Sequence, residues 1–115
     1  MATVTVTKDS FEPLVKDNKV VILDFWAEWC GPCRGFAPVF EAASEKYNEV
    51  AFGKVNVDNE GDLAMRFGVR QIPTIVAFRD GEVVHTQVGA LPGTALDTFV
   101  NGICEMDYMD ESSDK

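Results

Sequence analysis

The segment KVVILDFW, residues 19–26, is a nearly continuous run of apolar and β-branched residues, in which Asp24 is the one polar residue after Lys19. A strand that is buried on one face only alternates apolar and polar residues, whereas a strand buried on both faces reads as a continuous apolar run. Such a strand is typical of the centre of a sheet with helices on both sides. The segment therefore predicts an α/β fold built around this strand.

The rest of the chain alternates between strand and helix patterns. Ser10 is the predicted N-cap of the first helix, Gly68 the residue that ends the third, and Asp80-Gly81 a tight hairpin turn. The order β-α-β-α-β-α-β-β-α predicts a mixed five-stranded sheet flanked by four helices. The predicted strands are 3–7, 19–26, 50–57, 73–79 and 82–88; the predicted helices are 10–17, a stretch ending at Tyr47, 60–68 and one from about Thr94.

The chain has 115 residues, of which 46% are hydrophobic and 25% charged, as expected of one globular domain. We expect this domain to span residues 1–105 and the acidic residues 106–115 to be a frayed tail, with a docking tail as the alternative. A net charge of −9 argues against nucleic acid as a partner. With neither a leader pattern nor an apolar run of about 20 residues, the expected location is the cytoplasm and no membrane partner is expected.

Cys30 and Cys33 flank a Gly-Pro pair at the start of the second predicted helix. A metal site, a structural crosslink and a redox switch are all compatible with two cysteines at this spacing. Zinc requires four ligands, and the other candidates, Cys104 and His85, are on separate elements, so we predict no metal. A structural disulfide across so short a loop adds little stability. The pattern therefore favours a redox-active pair.

The two cysteines have different predicted roles. Cys30 is at the N-terminus of the helix, where a thiolate is stabilised, and is expected to be the exposed nucleophile. Cys33 falls on the same apolar stripe as Phe36 and is expected to face inward as the resolving thiol. Pro32 fixes the backbone between them and keeps both sulfurs within bonding reach.

Asp24 lies inside the central apolar strand, where burial of a carboxylate is costly and raises its pKa. We interpret it as the proton acceptor and donor for Cys33. The alternative is a buried carboxylate that is satisfied by hydrogen bonds or paired with Lys54 in the next strand. Lys54 is also a candidate for tuning the acidity of Asp24.

Four segments of the chain, VILDFWAEWCGPCR, KVNVD, RQIPTIVAFRDGEV and VGA, resemble the thioredoxin family. The resemblance covers about residues 3–104. It implies the thioredoxin fold, a cis peptide bond before Pro73, and a protein-disulfide reductase without a bound cofactor. It also implies that a thioredoxin reductase supplies electrons and that the clients are disulfide-containing proteins. We expect a monomer, with dimers through an exposed Cys104 as the alternative.

The resemblance further implies an apolar substrate-binding patch around Cys30, in which the backbone of Ile72 pairs with an extended client segment. For Trp29, plain packing is the alternative to contact with partners. The residues of the patch are Trp29, Gly31, Pro32, Ile72, Pro73, Val88, Gly89 and Ala90.

The chain departs from the family pattern at three positions. Arg34 replaces a frequent lysine, Gly35 is unfavourable inside a helix, and Cys104 is an additional thiol that we expect to be buried and inert. Two other functions stay open at this point. The alternatives to a reductase are a disulfide oxidase or isomerase and a non-catalytic binding subunit in which the cysteines are incidental.

Overall fold

The computed structural model describes residues 2–113, with side chains described as far as residue 106. It contains five strands and four helices in the predicted order. The strands are β1 (Thr3–Thr5), β2 (Val20–Trp26), β3 (Ala51–Asn56), β4 (Thr74–Arg79) and β5 (Glu82–Val88). The helices are α1 (Lys8–Asp17), α2 (Gly31–Lys46), α3 (Gly61–Arg66) and α4 (Gly93–Ser113).

The strands form one mixed sheet in the order β1-β3-β2-β4-β5. β1, β3 and β2 are parallel, and β4 and β5 are antiparallel to their neighbours. β2 is central, as its apolar sequence predicts, and six of its seven residues are buried. The mixed five-stranded sheet with four helices confirms the predicted fold class.

Successive residues of β2 face opposite sides of the sheet, and each side has its own core. The first core, under α1 and α3, consists of buried Val6, Phe11, Val15, Val21, Leu23, Phe25, Val55, Leu63, Val76 and Phe78. The second core, under α2 and α4, consists of buried Val20, Ile22, Phe36, Phe40, Ala43, Val50, Phe52, Ile75, Ala77, Leu96, Val100 and Ile103.

The N-cap of the first helix lies three residues earlier than predicted, so the assignment of Ser10 to that position is wrong. Thr7 is the N-cap, and its hydroxyl accepts a hydrogen bond from the backbone N–H of Ser10. The Ser10 hydroxyl accepts one in return from the N–H of Thr7. The two residues form a reciprocal capping box, in which serine serves at the third helical position. The predicted strand 3–7 ends at Thr5 for the same reason, because Thr7 already belongs to the cap.

The two predicted turn signals are confirmed. Gly68 follows α3 with φ +67°, and its N–H and that of Val69 donate to carbonyls of the last helical turn. Asp80 and Gly81 join β4 to β5 with φ +54° and +86°, the left-handed pair of a tight hairpin.

Helix α4 continues to Ser113, past the boundary predicted between residues 105 and 106. That boundary and the frayed tail stay predictions, since the side chains of residues 107–115 and the whole of residues 114 and 115 lie outside the described residues. Within residues 2–113, the structure has no helix with the length and apolar character needed to cross a membrane.

Candidate active site

Cys30 and Cys33 form a disulfide at the N-terminus of α2, with their Cα atoms 5.2 Å apart. Cys30 is the N-cap, in an extended conformation, and its Sγ accepts a hydrogen bond of 3.2 Å from the N–H of Cys33. Its own N–H donates to the carbonyl of Ala27 in the loop after β2. The end of β2 and the start of α2 together therefore position the sulfur pair.

The expected exposure of Cys30 is not found in this disulfide-bonded state. Its exposed fraction is 5%, against 2% for Cys33. The two cysteines pack with buried Ala27 and half-buried Trp26, Val57 and Ile72. The expectation is wrong for the oxidised chain because bonding to the inward-facing Cys33 draws the Cys30 sulfur into the same apolar surroundings. Cys33 faces inward, as its place on the apolar stripe predicts.

The loop before β4 lies directly beside the disulfide. The Ile72–Pro73 peptide bond is cis, as the resemblance implies, and the carbonyl oxygen of Ile72 lies 3.7 Å from Sγ of Cys30. The N–H of Gly89 donates to the carbonyl of Pro73 at 2.8 Å. Segments far apart in sequence thus meet at one edge of the sheet around Cys30.

The residues of the implied substrate-binding patch differ in exposure. Trp29 is 68% exposed, which excludes plain packing for its side chain, and Val88 is 53% exposed. Gly31, Pro32 and Ala90 are also exposed, Ile72 and Gly89 are half-buried, and Pro73 is buried. Large apolar side chains thus remain accessible to solvent on either side of a buried disulfide, as in surfaces that contact other proteins.

Asp58 is a residue of this site that our sequence reasoning missed. Its Oδ2 accepts a hydrogen bond of 2.9 Å from the indole N–H of Trp29. Its own backbone N–H donates to Oδ1 of Asn56, the last residue of β3. The segment KVNVD contains the signal, because a polar residue just after a parallel strand lies at the carboxyl edge of the sheet, where the cysteine loop also lies.

Asp24 is completely buried on the face of the sheet that α2 and α4 cover. Burial raises its pKa from 3.8 to about 7, and the positive charge of Lys54 opposes part of that rise. Neither carboxylate oxygen has a hydrogen-bond partner among the described residues. Hydrogen bonds from the described residues therefore do not offset the burial of this carboxylate.

Lys54 is the direct neighbour of Asp24 on β3. Its ammonium group lies 4.7 Å from the centre of the Trp26 ring. No salt bridge joins it to Asp24 within the part of the chain that the structure describes. Lys54 therefore acts on Asp24 through its charge and not through a direct ion pair.

Three further residues considered in the sequence, Cys104, His85 and Arg34, make other contacts. Cys104 is a half-buried free thiol on α4, and burial, with a further contribution from Glu49, raises its pKa. His85 packs against the ring of Phe99 with 5.3 Å between ring centres. Arg34 donates from its guanidinium to the carbonyl of Glu28 at 2.8 Å. The structure therefore does not bring Cys104 or His85 to the Cys30–Cys33 pair as metal ligands.

Comparisons with known proteins agree with this site. The thioredoxin family model matches residues 2–102. A putative thioredoxin 2 of Streptomyces coelicolor is 44% identical over 110 residues, covering 96% of this chain and 81% of that protein. A thioredoxin of Haemophilus influenzae is 48% identical over 93 residues, covering 79% of this chain and 87% of that protein. The structure of a mutant thioredoxin from Halobacterium salinarum has a TM-score of 0.85 at 38% identity, covering 90% and 91% of the two chains.

The matched range includes the whole sheet, both bonded cysteines and the loop before β4. It confirms the resemblance stated from the sequence, and it does not favour an oxidase, an isomerase or a non-catalytic binding subunit. A cysteine pair at bonding distance within this fold has the chemistry that disulfide exchange requires. The chain therefore belongs to the thioredoxin family, and it is a thiol–disulfide oxidoreductase that reduces protein disulfides.

Proposed function

We propose that Cys30 attacks the client disulfide and that Cys33 resolves the mixed disulfide. The Cys30 thiolate bonds to one client sulfur, and the other client sulfur leaves as a thiolate that takes up a proton. Cys33 then loses its proton and attacks Sγ of Cys30, which forms the Cys30–Cys33 bond and releases the second client thiolate. Two electrons and two protons pass to the client in each cycle.

The observation that carries this assignment is the position of Cys30 as the N-cap of α2. Its sulfur accepts the N–H of Cys33 at 3.2 Å, and the free N–H groups of the helix start favour negative charge there. In the reduced chain the same N–H supports a thiolate on Cys30. Cys33, in the first helical turn, is held within reach of the mixed disulfide, which makes its attack effectively intramolecular.

Asp24 is our candidate for the group that accepts the proton of Cys33 as the disulfide forms. It is also our candidate for the group that returns a proton to Cys33 as the disulfide is reduced. Its pKa of about 7 allows the carboxyl group to exchange a proton near neutral pH. It lies on the side of the sheet that α2 covers, and no described hydrogen bond holds it in one protonation state. Lys54 lowers this pKa by its positive charge and thereby tunes the exchange.

We assign client binding to the patch formed by Trp29, Gly31, Pro32, Ile72, Pro73, Val88, Gly89 and Ala90. In this proposal the carbonyl of Ile72 accepts a backbone N–H from a client segment beside its disulfide, and its distance of 3.7 Å from the Cys30 sulfur supports this role. The exposed side chains of Trp29 and Val88 then cover the client's apolar groups.

The remaining proposals concern the setting of the reaction. Disulfide-containing clients and a reductase partner follow from the family in general, and we propose that a thioredoxin reductase is that partner. We also propose a monomer acting in a reducing cytoplasm without a bound cofactor, because the dithiol itself carries the electrons.

The test is the reduction of insulin by dithiothreitol with catalytic amounts of the chain. Cys30→Ser is expected to bring the rate down to that of dithiothreitol alone, and Cys104→Ser to keep the wild-type rate. Cys33→Ser is expected to accumulate a mixed disulfide with the client, visible by mass spectrometry without reductant. Equal rates for the wild type and Cys30→Ser would overturn the assignment.

A further inference from the structure

A surface cavity of about 540 Å³ adjoins the client-binding patch at Trp29. It lies between the loop that carries the cysteines and the turn after β3, and its lining consists of Glu28, Trp29, Asn56, Asp58 and Asn59. Trp29 is the residue immediately before Cys30. A client side chain in this cavity therefore belongs to a residue close to the sulfur that Cys30 attacks.

The ring of Trp29 is held in place and presented to solvent. Its indole N–H, the only hydrogen-bonding group of the side chain, donates to Asp58. The ring nevertheless remains 68% exposed. It therefore offers a client its electron-rich surface and no free donor, and such a surface attracts apolar groups and cations.

The charges around the ring favour the cation. Two carboxylates, Glu28 and Asp58, line the cavity, and no lysine or arginine does. Glu28 makes no side-chain hydrogen bond or ion pair within the described residues. The guanidinium of Arg34 is nearby, but it donates to the main-chain carbonyl of Glu28 and leaves the carboxylate free.

We propose that this cavity binds an arginine or lysine of the client next to its reactive disulfide, so that the chain prefers clients with a basic residue at that position. This specificity rests on the proposed function and goes beyond it. The cation lies against the ring of Trp29 and beside the carboxylates of Glu28 and Asp58. Arginine is the better occupant, because its planar guanidinium stacks on an aromatic ring and pairs with a carboxylate at the same time.

The experiment uses the reduced chain and a short neutral peptide closed by one internal disulfide. Arginine, glutamine or glutamate is placed in turn at each position flanking the two cysteines, and the rate constant for release of peptide thiols is measured by quenched chromatography. At the best position, we expect arginine to react about three- to tenfold faster than glutamine. Glutamate is expected to react more slowly than glutamine.

Three variants separate a local site from the attraction of an acidic protein for any cation. Glu28→Gln and Asp58→Asn each remove one charge from the cavity, and the asparagine retains an oxygen that accepts the indole N–H. Each is expected to lower the arginine-to-glutamine ratio, and the double variant to bring it close to one. Glu82→Gln removes an equal charge at the far end of β5 and is expected to leave the ratio unchanged.

Two results would overturn the subsite. One is equal reduction of arginine and glutamine peptides at every position. The other is a preference for arginine that the double variant retains or that Glu82→Gln reduces equally, since either indicates only long-range attraction. If no peptide is reduced, whatever its flanking residue, the proposed function itself has failed, so the two failures are distinguishable.

Discussion

The two faces of β2 carry side chains of opposite character. Leu23 and Phe25 point into the core under α1 and α3, where the buried polar Thr74 donates its hydroxyl to the carbonyl of Gln71. Asp24 points to the face under α2 and α4, where it is completely buried beside Ile75 on one neighbouring strand and Lys54 on the other. One strand therefore supports a core that stabilises the fold and also places a carboxylate where its ionisation destabilises the fold.

This difference indicates that one face of β2 mainly stabilises the fold, whereas the other face also carries a group for the reaction. A buried carboxylate without hydrogen bonds costs free energy whenever it is charged, and such residues concentrate at functional sites. The core under α1 and α3, which among the described residues has no buried charged side chain, offsets that cost. If this division holds, substitutions at Phe11 and at Asp24 have opposite consequences for stability.

The largest expected effect comes from emptying the apolar core. Phe11 is buried, with its ring centre 5.4 Å from that of Phe67 and 5.6 Å from that of Phe78. Phe11→Ala leaves a cavity among these rings and should lower the free energy of unfolding by about 3–5 kcal/mol, measured by urea denaturation. Phe11→Leu, the control, should cost about 1 kcal/mol.

Insulin reduction by these variants tests whether the core under α1 and α3 contributes to activity. Under conditions in which each variant is folded, both should reduce insulin at the wild-type rate, because Phe11 lies on the face opposite Asp24. A loss of activity per folded molecule in Phe11→Ala would contradict the division between the cores.

The next effect is a gain of stability at Asp24. Its pKa is about 7 in the folded oxidised chain, against 3.8 unfolded, so the folded state binds a proton more tightly. Stability from this group is therefore complete below about pH 4 and is lost as the pH rises through 7. The pKa difference corresponds to about 4 kcal/mol above pH 7, of which Asp24→Asn should recover about 2–4 kcal/mol.

The measurement is urea unfolding of the oxidised wild type and of Asp24→Asn from about pH 4 to pH 9. The two curves should converge at low pH and separate as the pH rises. Asp17→Asn, which removes an exposed carboxylate at the end of α1, is the control. A constant difference across the range would show that Asp24 is not a carboxylate of raised pKa.

The smallest effects concern two glycines. A Cβ on Gly53 would lie 2.5 Å from Val6 and 2.9 Å from Leu23, whereas a Cβ on Gly35 would meet nothing within 4 Å. Gly53→Ala should therefore cost about 1–3 kcal/mol by overpacking the core under α1. Gly35→Ala should stabilise α2 by about 1 kcal/mol. Thermal unfolding compares the two, and destabilisation by Gly35→Ala would show that this helix position is more constrained than its surroundings indicate.

Much of the fold could be predicted because its signals are local. The apolar run of β2, the stripe of Phe36 and Phe40 on α2 and the Asp80-Gly81 turn each depend on neighbouring residues only. The cap of α1 was misplaced because Thr7 and Ser10 are both good capping residues. The choice between them depends on the reciprocal hydrogen bonds, which the sequence does not display.

Local sequence patterns are sufficient to predict the order of elements, the central position of β2 and the pairing of Cys30 with Cys33, because hydrophobic periodicity and motif spacing act over a few residues. Three other features emerge only from the folded chain: Asp58 holds Trp29, the Ile72 carbonyl lies beside Cys30, and Asp24 has no hydrogen-bond partner within the described residues. These three facts depend on which distant segments meet at the edge and in the interior of the sheet. Close packing of the folded chain sets those distances, and no local pattern encodes them.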